Sequence, residues 1–462
     1  MAAGAHEQWS SRLAFIFAAV GSAVGLGNIW RFPYMAGENG GAAFVLVYIG
    51  FIALVGLPVL IAELTVGRRG QLSPTNSIRK LAEESGTSPR WGWVGHLASL
   101  TGGLGLLSLY AVIAGWVLSY IIKTAIGTFV GVDAAGASAM VGEYVSSPGT
   151  MIFWHFIFVS LTVWVVARGI NAGLEKVVTY LMPVLFLLLL VLVGYAMAAG
   201  EFLQAVNYLF SPDFSKINGS VLLDAIGQAF FSLSLGLGTM IAYGSYLPKN
   251  ISIHKSAGLI AVADTAVALL AGLAIFPLVF AFGLSPSSGP TLIFEVLPIA
   301  FGQMPGGVIF GTMFFVLLGI AAVTSSISML EPAVSWFEEK QGINRTGAAI
   351  FGGTLAFVVG LLTVFSSNDW QDILPLASLG ITELSGNPAT YGEIISFTVA
   401  NLIMPIASLL LAIFVGWYVS RGHLREELDL PEGGIFELWH VSIKYVAPIA
   451  IGVILVWGLM PK

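Results

Sequence analysis

Gly21-Ser-Ala-Val-Gly25-Leu-Gly27-Asn28-Ile-Trp-Arg31-Phe-Pro33 interrupts the first long apolar run of the chain. A helix that only had to span a bilayer would not carry two mid-run glycines, an Asn and an Arg. Each interior glycine weakens a helix by about 1 kcal/mol relative to Ala, and bare backbone in hydrocarbon costs several kcal/mol per polar group. Broken backbone at that depth survives where it lines a cavity, and there it offers free N–H and C=O groups to a ligand. A second break of the same kind follows in Ser232-Leu-Ser234-Leu-Gly236-Leu-Gly238-Thr, and both contain Gly-Leu-Gly.

Composition sets the frame for this pair. The 462 residues are 57% hydrophobic and 10% charged, with a mean hydropathy of +0.89. Soluble domains carry about 25% charged residues, so the chain reads as an integral, polytopic all-α membrane protein in a lipid bilayer. No cysteine is present, which excludes disulfides and thiolate metal sites. A net charge of −6 argues against a nucleic-acid partner. The first run carries Arg31 and lacks a small-residue cleavage site at its end, so it is expected as a retained helix.

A span needs about 20 apolar residues. Eleven candidates lie near 11–36, 42–67, 96–126, 150–167, 174–198, 221–246, 256–283, 306–337, 347–366, 391–420 and 437–460. With the N-terminus in the cytoplasm, only Arg31, Lys123, Lys216, Lys444 and Lys462 of the nineteen basic residues fall outside the cytoplasmic loops. The positive-inside bias then puts the C-terminus outside. The loops 127–149, 199–220 and 284–305 become external, and Leu284 to Pro298 reads as a short hairpin over a cavity mouth. The breaks open spans one and six. The spans thus divide into 11–198 and 221–420, two five-span halves of opposite topology within one transporter domain, 1–462, with 437–460 as an extra span. Interrupted segments at matching positions of inverted halves point to a transporter's substrate site.

Ser22-Ala-Val-Gly-Leu-Gly-Asn-Ile-Trp-Arg-Phe-Pro33, Gly37-Glu-Asn-Gly-Gly41, Phe230-Phe-Ser-Leu-Ser-Leu-Gly-Leu-Gly238 and Thr324-Ser-Ser326 together resemble the neurotransmitter:sodium symporters. The resemblance runs through spans one to ten and implies the LeuT-like fold. Eleven spans are similar to the bacterial branch that carries several hydrophobic amino acids, which implies a bacterial cytoplasmic membrane. It further implies a substrate site of Ala23, Gly25, Leu26, Gly27, Leu106, Tyr110, Phe231, Ser232, Ser234, Leu237, Ser325 and Met329. Where monoamine carriers of the family hold an Asp, this chain has Gly25, which suits a substrate bringing its own carboxylate. The half-helix from Gly27 would offer it N-terminal amides, and Tyr110 a hydroxyl.

Two sodium ions are implied. One cage would use Ala23, Asn28, Ser232 and Asp264 with the substrate carboxylate; the other Gly21, Val24, Ala321, Thr324 and Ser325. Animal members hold a chloride with a serine on span seven, four residues after an Asn. Here those positions are Ala268 and Asp264, so no chloride requirement is expected. The gates implied are Arg31 with Glu393 on the outside, since Ser396 stands where the family's Asp would be. On the inside they are Trp9, Tyr246 and Glu339, with His6 facing Glu339. Glu63 is expected to accept hydrogen bonds from the broken backbone, and Glu331 to support the inner pathway. Gly173 and Pro183 on span five match a family spacing linked to local unwinding.

The expected activity is a sodium-coupled symport of hydrophobic L-amino acids by alternating access, with no enzymatic chemistry. A non-transporting amino-acid sensor with the same fold remains open, as does a channel. A channel would need a continuous polar stripe, whereas these polar groups cluster at one depth.

Overall fold

The structure, a computed structural model, describes residues 7–284, 291–384, 386–431 and 433–459. The first span is in two pieces, Arg12–Ala23 and Gly27–Glu38, inclined at 55°. Ser11 starts it as an N-cap, its hydroxyl accepting from the Ala14 amide at 3.1 Å. The sixth span is also in two pieces, Gly219–Ser232 and Thr239–Ser245. Between them the chain is irregular, and Ser234, Gly236 and Gly238 have φ of 54°, 77° and 74°. Left-handed backbone ends a helix at once, because it turns the next amides away from the preceding carbonyls. At Gly236 a Cβ would also sit 2.4 Å from the Met404 carbonyl oxygen, so only glycine fits the approach to span ten.

The other spans are continuous. The second to fifth are Ala42–Gly70, Pro89–Ala125, Pro148–Val166 and Ile170–Ala199. The seventh to eleventh are Ile253–Ala281, Gly307–Lys340, Arg345–Ser366, Tyr391–Tyr418 and Gly434–Gly458. Among the described residues, nine continuous helices and the bent first pair are long and apolar enough to cross a membrane. The two pieces of the sixth are each too short to cross alone. Of the hairpin expected over the cavity mouth, residues 285–290 lie outside the described residues, and Leu292–Gln303 is a short apolar helix. Outside the spans, Glu383–Leu384 and Asn387–Pro388 pair as a two-residue antiparallel ribbon.

These helices are apolar on every face, and two environments take the two kinds of surface. Leu187, Leu190, Val262 and Ile449 point outward to lipid, while Phe15, Tyr48, Tyr243, Phe276 and Phe315 are fully buried. The eighth span packs along the third, and Thr239–Ser245 packs along the second span's Leu57–Gly70 portion. That last contact is backbone to backbone: a Cβ on Gly67 would meet the Ile241 carbonyl oxygen at 2.0 Å. Gly67→Ala should therefore overpack this junction, lowering thermal stability by the equivalent of about 1–3 kcal/mol. Gly50→Ala, whose Cβ meets nothing within 4 Å, should be neutral or slightly stabilising. Melting of the two purified variants side by side checks the contrast, and equal melting temperatures would refute the assigned contact.

Candidate functional site

The two breaks lie against each other. Ser234, held at positive φ, donates its hydroxyl to the Ser22 carbonyl at 2.9 Å. Asn28 Nδ2 reaches Ser232 Oγ at 2.9 Å. The free amide of Gly236 donates to Glu63 Oε1 at 2.8 Å, with Glu63 wholly buried. An acid on span two therefore takes up backbone that the sixth span gives up, as expected from its place in the sequence.

Around Asn28 the side chains form a closed oxygen-rich cluster. Asn28 Nδ2 donates to Asp264 Oδ1 at 2.7 Å, and Ser232 Oγ donates to Asp264 Oδ2 at 2.6 Å. Tyr48, passed over in the sequence, joins it: its hydroxyl is 3.0 Å from Ser232 Oγ and 3.2 Å from Asp264 Oδ2. The Asn28 amide oxygen accepts from the Gly25 amide at 3.3 Å. Three of the four residues expected at the first cation site thus touch one another. Ala23, the fourth, is buried at the end of the first half-helix. Ala268, the position expected to lack an anion donor, is fully buried one turn beyond Asp264.

A second oxygen cluster joins spans one and eight. Ser325 Oγ lies 3.2 Å from the Gly21 carbonyl oxygen and 3.4 Å from those of Ser22 and Val24. Thr324 Oγ1 is 3.2 Å from the Ala321 carbonyl oxygen. A Cβ on Gly21 would come within 3.1 Å of the Thr324 Cβ, which is why the helices approach so closely. All five expected residues of the second cation site therefore meet. Hard monovalent cations are held by such neutral oxygens, carbonyls above all.

Between the clusters sits the backbone from Gly25 to Gly27. The Leu26 amide donates to the Tyr110 hydroxyl at 3.3 Å. A Cβ on Gly25 would stand 2.8 Å from Ser325 Oγ and 3.3 Å from the Tyr110 hydroxyl. The space over Gly25 is thus bounded by two hydroxyls. One on Gly27 would strike the Phe231 ring at 2.7 Å. A cavity of about 930 Å³ ends on Leu26, Gly27, Leu106, Tyr110 and Phe231, and extends to exposed Gln371 and Asp372. Of the other expected substrate residues, Leu237 and Met329 are buried and do not line this cavity, and Ser234 and Ser325 are tied into the hydrogen bonds above.

The outer end of this cavity differs from expectation. Arg31 lies with its guanidinium 5.1 Å from the Phe231 ring centre, and Asp224 is the acid whose charge it feels most. Glu393 instead lines the cavity together with Asn387 of the short ribbon. Ser396 lines the same cavity. Asp224 carried a signal in the sequence: it is an acid inside an apolar run, and such groups are functional candidates.

At the opposite end the path is shut. Trp9 donates from its indole to the Tyr243 carbonyl and from its amide to the Tyr246 carbonyl, both at 3.0 Å. The Tyr246 hydroxyl reaches Glu331 at 2.7 Å, and Glu331 forms an ion pair with Arg345. Arg345 also donates to the Val166 carbonyl at 2.9 Å, tying spans four, six, eight and nine together. The expected Glu339 sits apart from this knot, accepting from the Ser73 amide and hydroxyl and from Asn76 at the start of the helix Pro74–Glu84. His6 lies outside the described residues. Arg345 was counted among the loop cations in the sequence, so its inward reach was not visible there.

Relatives are similar over nearly the whole chain. The family described as "Sodium:neurotransmitter symporter family" matches residues 6–129 and 139–373. An uncharacterised sodium-dependent transporter of Bacillus subtilis is 38% identical over 96% of this chain and 96% of its own. One from Haemophilus influenzae is 32% identical over 98% of each. A bovine sodium-dependent neutral amino acid transporter is 29% identical over 59% of this chain and 40% of its own. The crystal structure of MhsT in complex with L-phenylalanine superposes with a TM-score of 0.87 at 40% identity, covering 98% of this chain and all of that one. The chain is a multi-pass membrane transporter that belongs to the sodium:neurotransmitter symporter family.

Proposed function

We propose that the protein imports hydrophobic L-amino acids with two sodium ions, without chloride, by alternating access in a bacterial cytoplasmic membrane. The observation that carries the reading is the Gly25–Gly27 backbone between two oxygen clusters, with the Leu26 amide and Tyr110 hydroxyl in contact beside it. A carboxylate placed there would accept from that amide and hydroxyl and complete the Asn28, Ser232 and Asp264 cluster. Leu26, Leu106 and Phe231 supply an apolar floor for the side chain. The relative crystallised with L-phenylalanine supports the same substrate class. Binding rather than bond-making is what such a site offers, and a symporter is accordingly no enzyme. The halves 11–198 and 221–420 would rock about this site, exchanging the cavity at Arg31 for one at Trp9.

Asp264 explains the proposed indifference to chloride. A buried cation beside a moving substrate needs a fixed negative charge nearby. Here it is covalent, bonded to Asn28, Ser232 and Tyr48.

Two outcomes follow from the shared carboxylate and a third from Asp264. Sodium and substrate must strengthen each other's binding by one common factor. Scintillation-proximity or calorimetric titration in sodium and in potassium measures it; the expected ratio of substrate affinities is tenfold or more, and a ratio of one refutes the proposal.

Next, Gly25→Asp should abolish amino-acid binding, since two like charges a few ångström apart cannot both stay ionised cheaply. The Cβ alone already crowds Ser325 Oγ, so Gly25→Asn serves as a neutral control of matched volume. Binding should be weaker in the Asp variant than in the Asn variant by at least tenfold. Equal loss in both would reduce the argument to volume and remove the carboxylate from this position.

Finally, sodium-driven uptake into proteoliposomes should survive complete replacement of chloride by gluconate. Asp264→Asn should lose most of the uptake, and Asp264→Asn with Ala268→Ser should recover part of it in chloride only. Chloride-dependent uptake by the unmodified protein would overturn the assignment of Asp264 as the internal counter-charge.

A further inference from the structure

A second large cavity lies on the outside of the helix bundle, away from the transport path. It is a groove of about 530 Å³ between spans three, four, five and eight. Its walls are aliphatic: Leu118 and Ile121 from span three, Leu161 and Val165 from span four, Val177 and Leu181 from span five, Val316, Ile320 and Val323 from span eight. Gly319 deepens it, because a side chain there would meet Ile121 Cδ1 at 3.2 Å from its Cβ onward. Only one end of the lining is charged, and both charges are positive. Arg168 and Lys176 stand there, exposed, with Trp164 and Tyr180 beside them. The Arg168 guanidinium lies 3.8 Å from the Trp164 ring centre, which holds it at the rim.

The neighbouring acids are committed elsewhere. Glu7 accepts from the Ile170 amide, and Glu175 accepts from the amide and hydroxyl of Ser10. Both are engaged where the N-terminal segment meets the start of span five, and neither lines the groove. Trp and Tyr of this kind belong at the boundary between hydrocarbon and headgroups. Arg168 and Lys176 fall in the connection that the distribution of basic residues assigns to the cytoplasmic face. Basic pockets between spans on that face select anionic headgroups.

We propose that this groove is a binding site for an anionic phospholipid, one acyl chain lying along Gly319 and the phosphate held by Arg168 and Lys176. The charge pattern favours this occupant over a zwitterionic lipid, because a choline headgroup would bring a cation to two cations. It favours it over a second copy of the chain, which would have to bury both cations. The site touches Gly173, whose Cβ would lie 2.3 Å from the Val165 carbonyl oxygen where spans four and five meet. A lipid seated there bridges the two spans just beyond the Val166 carbonyl that Arg345 holds. It thus splints the joint next to the closed inner end.

The test uses the full chain, delipidated in mild detergent, and native mass spectrometry. Dioleoyl phosphatidylglycerol and dioleoyl phosphatidylcholine compete at equal concentration, with inorganic phosphate in a third arm. One phosphatidylglycerol should be retained at least tenfold over phosphatidylcholine, and phosphate alone should neither bind nor displace it. Arg168→Gln with Lys176→Gln should lower that retention at least tenfold, consistent with about 1 kcal/mol per basic residue near an anionic surface. Val316→Phe, which narrows the groove without touching the charges, should lower retention of both lipids. Equal retention of the two lipids, undiminished binding in the double Gln variant, or displacement by phosphate would each overturn the proposal. So would a dimer that the Gln variant abolishes, since a second copy would then be the occupant.

Discussion

Everything here depends on one constraint: a backbone broken in the middle of a bilayer must find its hydrogen-bond partners inside the protein. The sixth span gives up its regular bonds between Leu233 and Gly238; Glu63 takes up the freed Gly236 amide, while Ser22 and Asn28 hold the hydroxyls of Ser234 and Ser232 at the break. Each partner belongs to another span, so the break cannot exist without the bundle around it. Leaving such a group unpaired costs about 1–3 kcal/mol, which makes these few contacts as decisive as the apolar packing. The positive φ of Ser234 is part of the same economy. A non-glycine residue in that region is strained, and its hydroxyl bond to Ser22 offsets the strain where the two breaks meet.

Under the proposed function, the same contacts would make ions and substrate act together. Ser325 lies on the carbonyls of Gly21, Ser22 and Val24, and it also stands 2.8 Å from where a Gly25 side chain would begin. A group arriving over Gly25 must therefore move or bond the hydroxyl that serves the span-one/span-eight cluster. On the other side, Asn28 ties Gly25 to Ser232 and Asp264. Three residues of irregular chain thus separate two oxygen clusters, and neither can reorganise alone. Coupling of this kind needs no distant pathway, because the sites share atoms.

The fold was legible because its signals are long or costly. Spans of twenty or more residues leave a compositional record, and the two Gly-Leu-Gly breaks violate helix rules where a violation needs a reason. Tyr48 was not legible. A tyrosine in an apolar run reads as packing, and its hydroxyl's partners sit on spans six and seven. The inward reach of Arg345 was hidden for a related reason: a cation next to a span end looks like a loop charge, although its side chain reaches in to Glu331. The ribbon that pairs Glu383–Leu384 with Asn387–Pro388 was not legible either, and nothing local in the sequence foretells that it brings Asn387 to the cavity that Glu393 lines. Boundaries drawn from hydropathy held to within a few residues, except where span three begins at Pro89 rather than near 96. Its first turns carry Arg90, Trp91 and His96, too polar to count as apolar chain yet still helical.

The asymmetry of the closed end sets what any transport cycle must overcome. Opening it requires releasing both Trp9 bonds, the Tyr246–Glu331 bond and the hold of Arg345 on Glu331 and Val166. Neutral hydrogen bonds contribute about 1 kcal/mol each and charged ones about 1.5–3, so this knot is worth several kcal/mol in the sealed arrangement. Moving a two-state equilibrium from 1:99 to 99:1 takes about 5.5 kcal/mol of differential binding. The two quantities are of one order, which is the condition for a transporter to switch at all. A weaker knot would leak ions without substrate, and a much stronger one would hold the substrate on the Arg31 side. Glu331 is well chosen for that middle ground. It is fully buried but paired, so the pair contributes less than its separation suggests, while its loss would leave Arg345 only the more exposed Glu338, 3.1 Å away, at the joint of four spans.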